Sequence, residues 1–379
     1  MARTLSAILL AKQQGFDRIP AVRVLINGVN YSSRVLSVEH HEEPYRDYAT
    51  IVLNNVDRGL DSVATLSSNL LGYRFRIAYG YYTGEIVAEP NGDGAGNEYV
   101  ESADLWVKSQ KVVSSPGQLE CELYCEGQWN YLREQQVMAL ASVGEAETID
   151  PGQVASDPTY RGTFNKTKTV YQLIESVIEN AMGWALNAAP SPDDGILTSF
   201  MPVYTVEGLP TAGDVLADAK IGLIRLTKCY LRAKANLIWE LVYPQSGDAI
   251  DEIFYSSQSP FFYEFAEIIN LVTPNRIVVF ADDPDDLFGT TGAWKEPVMV
   301  GDTGAYDATH PGAPDNGNYT EVIGVKLDAT ITLQGDANNR ASAILSRLRA
   351  EALSSYLIAP HDCRVELYDK IRIVDTRGV

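Results

Sequence analysis

A chain of 379 residues with 50 acidic and 30 basic side chains carries a formal charge of −20, which opposes independent affinity for nucleic acid or anionic lipid. A hydrophobic content of 45% is that of a folded protein, and the length allows two or three domains, each with its own core. Cys121, Cys125, Cys229 and Cys363 follow no disulfide-scaffold pattern and the four histidines supply no zinc spacing, so a reducing compartment of synthesis is the default.

The opening TLSAILLAKQQG has an apolar run too short to span a bilayer and reads as an N-terminal arm or short helix within residues 1–20. From Ala21 to about Gly144 strand follows strand, which sets a first domain at 21–149. AVRVLING places Val22, Val24 and Ile26 on one side and ends in Asn27-Gly28, a strong hairpin signal. RVLSVEH and DYATIVLNN continue the pattern. GYRFRIAYGY alternates Tyr73, Phe75, Ile77 and Tyr79 with Arg74, Arg76 and Ala78. In QLECELYCEGQW a strand's rise would separate Cys121 from Cys125 by roughly 13 Å, too far for one zinc ion or a disulfide. What remains is packing. Leu119, Cys121, Leu123 and Cys125 share one face, and Glu120, Glu122 and Glu126 stand on the other with Gln118 and Tyr124. At least six strands with short turns predict a closed or nearly closed antiparallel barrel.

Between 150 and 250 the pattern is that of a small mixed α/β unit. TKTVYQLIESVIENAM carries Leu173, Ile174, Val177, Ile178 and Ala181 at helical spacing behind a Thr169/Gln172 capping box. TAGDVLADAK is a second helix, and LTKCYLRA and LIWELVYP are strands around a tight turn at Lys234 to Asn236 that lacks the expected glycine. Residues 251–379 return to strand character: NRIVVFAD, a long Asp/Gly/Pro-rich loop at 283–318, the alternating TEVIGVKLDATIT, a helix DANNRASAILSRLRAEALSSYLI with Ala341, Ile344, Leu345, Leu348, Ala352 and Tyr356 on one stripe and Arg347 opposite, and a closing strand CRVELYDKIRIVD. So long a connection is expected to be a functional or interface loop, or a partly mobile one.

Acidic clusters and histidines invite chemistry that their spacing does not support. Asp282, Asp283, Asp285 and Asp286 in ADDPDDLFG could ligate calcium but lack EF-hand spacing, and read as a solvated turn. His40 and His41 point to opposite faces of a strand and read as an exposed polar edge. His361-Asp362-Cys363 has no nucleophile geometry, and GDGAGN lacks the strand-to-helix context of a phosphate loop. The aromatics of GYRFRIAYGYY and SPFFYEF are core and subunit interface before they are a saccharide platform. No catalytic, cofactor-binding or metal-ligating residue is assigned.

In their order, VLINGVNYSSRVLSVEH, TIVLNN, GYRFRIAYGYYTG, the TKTVYQLIESVI helix, and a final helix followed by VELYDKIRIVD resemble the tail-hub, or baseplate-hub, family of long-tailed bacteriophages from about Ala21 to the end. The resemblance implies a mainly β, α+β protein in which two tube-like antiparallel β-barrels, at about 21–145 and 251–379, accompany the α/β unit. It also implies a non-enzymatic homotrimeric virion protein, assembled in the host cytoplasm, that closes the distal end of the tail tube. Six similar barrels would match the sixfold tube to a threefold tip and leave a channel for DNA, which passes without specific binding. Implied partners are tail-tube ring proteins, a tip fibre or spike and the tape-measure protein; related hubs serve contractile injection systems and gene-transfer particles. On that reading Glu120, Glu122 and Glu126 are candidates for the lumen wall, and the loop bearing Asp283, Asp285, Asp286 and Trp294 for a plug or interface. The rivals are a receptor-binding tail protein that recognises host saccharide and a carboxylate-dependent cell-wall hydrolase.

Overall fold

The period-two pattern of residues 20–127 becomes one antiparallel sheet. Its strands are β1 (Pro20–Ile26), β2 (Val29–Asn30), β3 (Val35–Glu43), β4 (Arg46–Asn54), β5 (Arg74–Tyr82), β6 (Asn97–Glu101), β7 (Leu105–Ser115) and β8 (Gln118–Gly127). They lie in the order β2-β1-β5-β7-β8-β4-β3, with β6 also paired to β5. The computed structural model describes residues 3–61, 68–135, 161–163, 168–187, 195–201, 205–207, 211–218, 222–245, 247–269, 276–281, 298–301, 323–328 and 334–377. Asn27 and Gly28 take positive φ of 49° and 77°, the two-residue turn that their identities predict.

One face of this sheet is a continuous core. Val24 and Ile26, Ile51 and Leu53, Phe75 and Ile77, Leu105 and Val107, and Cys121, Leu123 and Cys125 form a single buried cluster. For strands at both ends of the order to share it, the sheet must curl strongly, and β3 does reach β5 through a His40–Tyr79 contact. It does not close: among the described residues no ladder joins β2 to β3. Of the closed or nearly closed barrel expected here, the structure shows a strongly curled antiparallel sheet that is not closed. The cause is local, because β2 is two residues long and runs through Tyr31 into a 3-10 turn at Ser32–Arg34, leaving no strand to zip against β3.

Ahead of the sheet, Ser6 caps helix α1 (Ala7–Gln14) by accepting from the Leu9 amide. Behind it, α2 (Gln128–Glu134) leads into a second core. The mixed unit holds β9 (Arg161–Thr163), α3 (Val170–Glu175) continuing as a π-helical turn Ser176–Ala181, β10 (Ala185–Asn187), α4 (Gly195–Ser199), β11 (Thr205–Glu207), α5 (Ala212–Ala217), and the hairpin β12 (Tyr230–Lys234) and β13 (Ile238–Val242). Thr169 with Gln172 and Thr211 with Asp214 both form complete capping boxes. At the hairpin tip Asn236 takes φ 64°, so asparagine supplies the left-handed residue for which a glycine was expected.

The region from 251 onward departs furthest from its expected form. β14 (Glu252–Tyr255), β15 (Glu264–Ile269), β16 (Arg276–Ala281), β17 (Val298–Gly301), β18 (Ile323–Asp328), α6 (Gln334–Ala352), β19 (Leu353–Ile358) and β20 (Ile371–Val374) give, among the described residues, three small sheets, β14-β20, β15-β19 and β17-β16-β18, none closed into a barrel. β14 pairs with β20, and β16 with β18, in parallel, a geometry that needs long crossovers and interrupts any antiparallel meander. Residues 298–301, read as loop, are strand; Asp283, Asp285, Asp286 and Trp294 lie outside the described residues. The last helix stops at Ala352, and Tyr356, read on its buried stripe, sits on β19 at 44% exposure. Arg347, read as solvent-facing, is buried and donates to the Thr227 and Ile224 carbonyls at 2.8 Å each. Ile277, Val279, Ala341 and Leu345 share one core with the mixed unit. Among the described residues no helix is long and apolar enough to cross a membrane.

Candidate functional site

The acidic face of β8 stands as the alternation predicts. Cys121, Leu123 and Cys125 point inward and are fully buried, while Glu120, Glu122 and Glu126 lie half-buried on the opposite face. Glu120 stands between Asn54 of β4 and Val113 of β7, Glu122 between Val52 and Lys111, and Glu126 between Tyr48 and Trp106. Lys111 offsets one of the charges, its Nζ lying 2.9 Å from Glu122 Oε2. The strip is also aromatic: His41 stacks on Tyr48 at 4.6 Å between ring centroids, Tyr124 follows at 6.4 Å, and the Arg46 guanidinium sits 4.4 Å from the Tyr48 centroid. Stacked cross-strand rings of this kind stiffen a sheet.

His40 and His41 do take opposite faces, but only His41 is an exposed polar group, its Nε2 2.9 Å from Glu39. The His40 side chain is 5% exposed inside the curl, with Nδ1 3.1 Å from Tyr79 Oη. Its Nε2 has no hydrogen-bond partner, and burial holds the imidazole pKa below its ordinary value. The His361 ring packs 4.4 Å from the Tyr79 ring. Here the structure corrects an expectation, because His361 Nδ1 lies only 3.8 Å from Cys363 Sγ. Burial pushes that thiol up to about 12 and the imidazole down, so the pair stays neutral and supplies no thiolate. A cavity of about 450 Å³ opens between β1, β3 and β5 beside these rings, at the seam where the sheet fails to close. Among the described residues no three His, Cys, Asp or Glu side chains are disposed to hold a metal ion.

All four cysteines are free and buried, as packing predicts. Burial raises Cys121 to about 11 and moves Cys125 upward as well. The native protein is therefore expected to resist a thiol reagent at mildly alkaline pH and to titrate all four thiols once unfolded. Rapid labelling of a folded sample at Cys121 or Cys363 would contradict the placement.

Sequence reading missed a buried ion network that joins four parts of the chain. Arg232 on β12 is 2% exposed; its guanidinium lies 2.8 Å from Glu240 of β13 and 2.7 Å from Asp369, and donates to the Leu367 carbonyl at 2.9 Å. Glu366 takes Arg3 of the N-terminal arm at 2.9 Å and Lys234 at 3.2 Å. Arg3 also reaches Glu42 of β3 at 3.7 Å. Beside it the fully buried Asp104 accepts from Arg74 Nε at 2.7 Å and from the Leu237 amide at 2.8 Å, tying the sheet to the hairpin. Burial works against the Arg232 charge, but Glu366, Asp369 and Glu240 more than offset it and its pKa is raised. The local signal was slight, an arginine inside the apolar strand TKCYLRA.

No family model and no curated protein sequence matches the chain. Two solved structures share its fold over nearly its whole length. The tail protein from Neisseria meningitidis MC58 superposes with a TM-score of 0.56 at 12% identity, covering 95% of this chain and 88% of that one. The 43 kDa tail protein of prophage MuSo2 from Shewanella oneidensis gives 0.55 at 9% identity, covering 95% and 91%. At such identities the likeness is one of fold.

Proposed function

We propose that the chain is a structural tail protein of a phage particle, a homotrimeric hub at the tail tip. The observation that carries this reading is the chain-long likeness of fold to two tail proteins, which spans the curled sheet, the mixed unit and the C-terminal elements together. Its work is mechanical. Among the described residues β3 pairs on one side only, and a nine-residue edge left open in this way invites a neighbour. Cyclic symmetry lets each copy cover the next.

In this arrangement Glu120, Glu122 and Glu126 border the channel. A duplex carries one negative charge per about 1.7 Å, so a carboxylate-bearing wall offers its phosphates no stopping place. The segment carrying Asp283, Asp285, Asp286 and Trp294 is assigned to the plug or to a neighbour's surface. Tail-tube ring proteins would dock on one side, a tip fibre or spike on the other, with the tape-measure protein inside the tube until DNA passes. Mass photometry of the purified chain is expected to give three times its 41.6 kDa mass. A species that stays monomeric at every concentration tried would refute the hub.

A further inference from the structure

We propose that the buried junction between β3, β4 and the C-terminal segment is a proton-operated latch, closed while the Asp47 carboxyl is neutral and loosened when it ionises. Asp47 lies on β4 directly opposite Glu42 of β3, two like charges in register across one ladder. It is 4% exposed, and neither Oδ1 nor Oδ2 has a hydrogen-bond partner. The backbone amides of Gln128 and Trp129, at the start of α2, and of Asp47 itself favour the ionised carboxylate, but burial and then Glu42 outweigh them. The carboxyl is wedged against Gly127, where an added Cβ would fall 1.7 Å from Oδ2. The void beside it is about 20 Å³, room for about one water, so an ion formed there would be poorly hydrated.

The surrounding charges do not rescue it. Glu42 and Glu43 from β3, Arg232 from the hairpin and Glu366 from the C-terminal segment line the void with Asp47, and Asp369, Glu240, Arg3 and Lys234 are paired to these groups in turn. Arg3, Lys234 and Arg232 already serve Glu366, Glu240 and Asp369, which leaves carboxylates in excess at the junction. Burial first, and then Glu42, raise the Asp47 pKa from 3.8 to about 7. A carboxyl raised in the closed state favours closure fully below 3.8, loses that contribution as pH climbs to about 7, and changes nothing beyond. Opening therefore grows by up to about tenfold per pH unit across that window. His40, whose imidazole lies 4.0 Å from Glu42, acts with the opposite sign, since its lowered pKa weakens the closed state toward acid.

Hydrogen exchange, reported as protection factors so that intrinsic pH dependence divides out, tests the latch in residues 3–14 and 361–369. Between about pH 5 and about pH 7.5 the native chain is expected to lose at least about tenfold protection in both segments. In Asp47→Asn the loss should vanish or reverse, leaving the histidine contribution. Should that variant not fold, Glu42→Gln keeps Asp47 in place and is expected to shift the transition to lower pH. A flat native profile overturns the latch, as does an Asp47→Asn profile like the native one or an unmoved transition in Glu42→Gln.

Discussion

Replacing Arg232 with methionine is expected to lower the unfolding free energy by about 3–5 kcal/mol, the range for removing one partner of a buried ion pair. The reason is what it leaves behind. Asp369 is fully buried at the side chain and Glu366 2% exposed, and both would lose the guanidinium that sits 2.7 Å and 3.9 Å away. Lys234 retains Glu366 and Glu240. Denaturant midpoints at pH 7 measure the effect. Its pH dependence has a definite sign, because Glu240, though burial opposes its charge, is held below the usual carboxylate range by Arg232 and Lys234. Stabilisation of that kind is present above the ordinary carboxylate pKa and is lost as pH falls through the depressed value, so the native advantage over the variant should shrink in acid. A variant within about 1 kcal/mol of native at neutral pH would show that the network contributes little.

A second large effect is expected at Gly80, which looks innocuous in sequence. An alanine Cβ there would lie 1.7 Å from the Glu98 carbonyl oxygen and 2.9 Å from Tyr99 Cα, both backbone atoms of β6. Backbone cannot rotate away as a side chain can, so β6 must leave β5. The arm would follow, since Ser6 donates to Glu98 Oε2 at 2.6 Å. Gly80→Ala is expected to cost at least about 3 kcal/mol, the top of the overpacking range. Gly117→Ala is the control: its Cβ meets nothing within 4 Å, and only its φ of +83° opposes the change, worth about 1 kcal/mol. Equal losses from the two substitutions would contradict the close approach of β5 and β6.

What could be read from sequence was local. Alternation in β1, β5 and β8 assigned Val24, Ile26, Phe75, Ile77, Leu123 and both cysteines of β8 to the inward faces of their strands, because a strand with one buried face leaves a period of two. Turn and cap chemistry located Asn27-Gly28 and Thr169-Gln172 for the same reason, each motif being complete within a few residues. The misses are all relations between distant residues. Whether β3 meets β2 depends on a two-residue strand, and whether residues 251–379 form a barrel depends on β14 finding β20 and β15 finding β19. Arg347 has the spacing of a solvated helical face, yet its carbonyl partners lie near residue 225, more than a hundred residues upstream. Nothing in local periodicity distinguishes it from a surface arginine. His40 was missed likewise, since only the curl that brings β5 across to β3 buries it.

The hub reading stands or falls on how copies of the chain are arranged. A cryo-electron microscopy reconstruction of the purified protein measures that directly. The account predicts three copies around an axis, an open centre, and the outer face of β8 with Glu120, Glu122 and Glu126 turned toward it. A particle without a central opening, or a ring whose inner wall is neutral or basic with these glutamates on its outside, would contradict it.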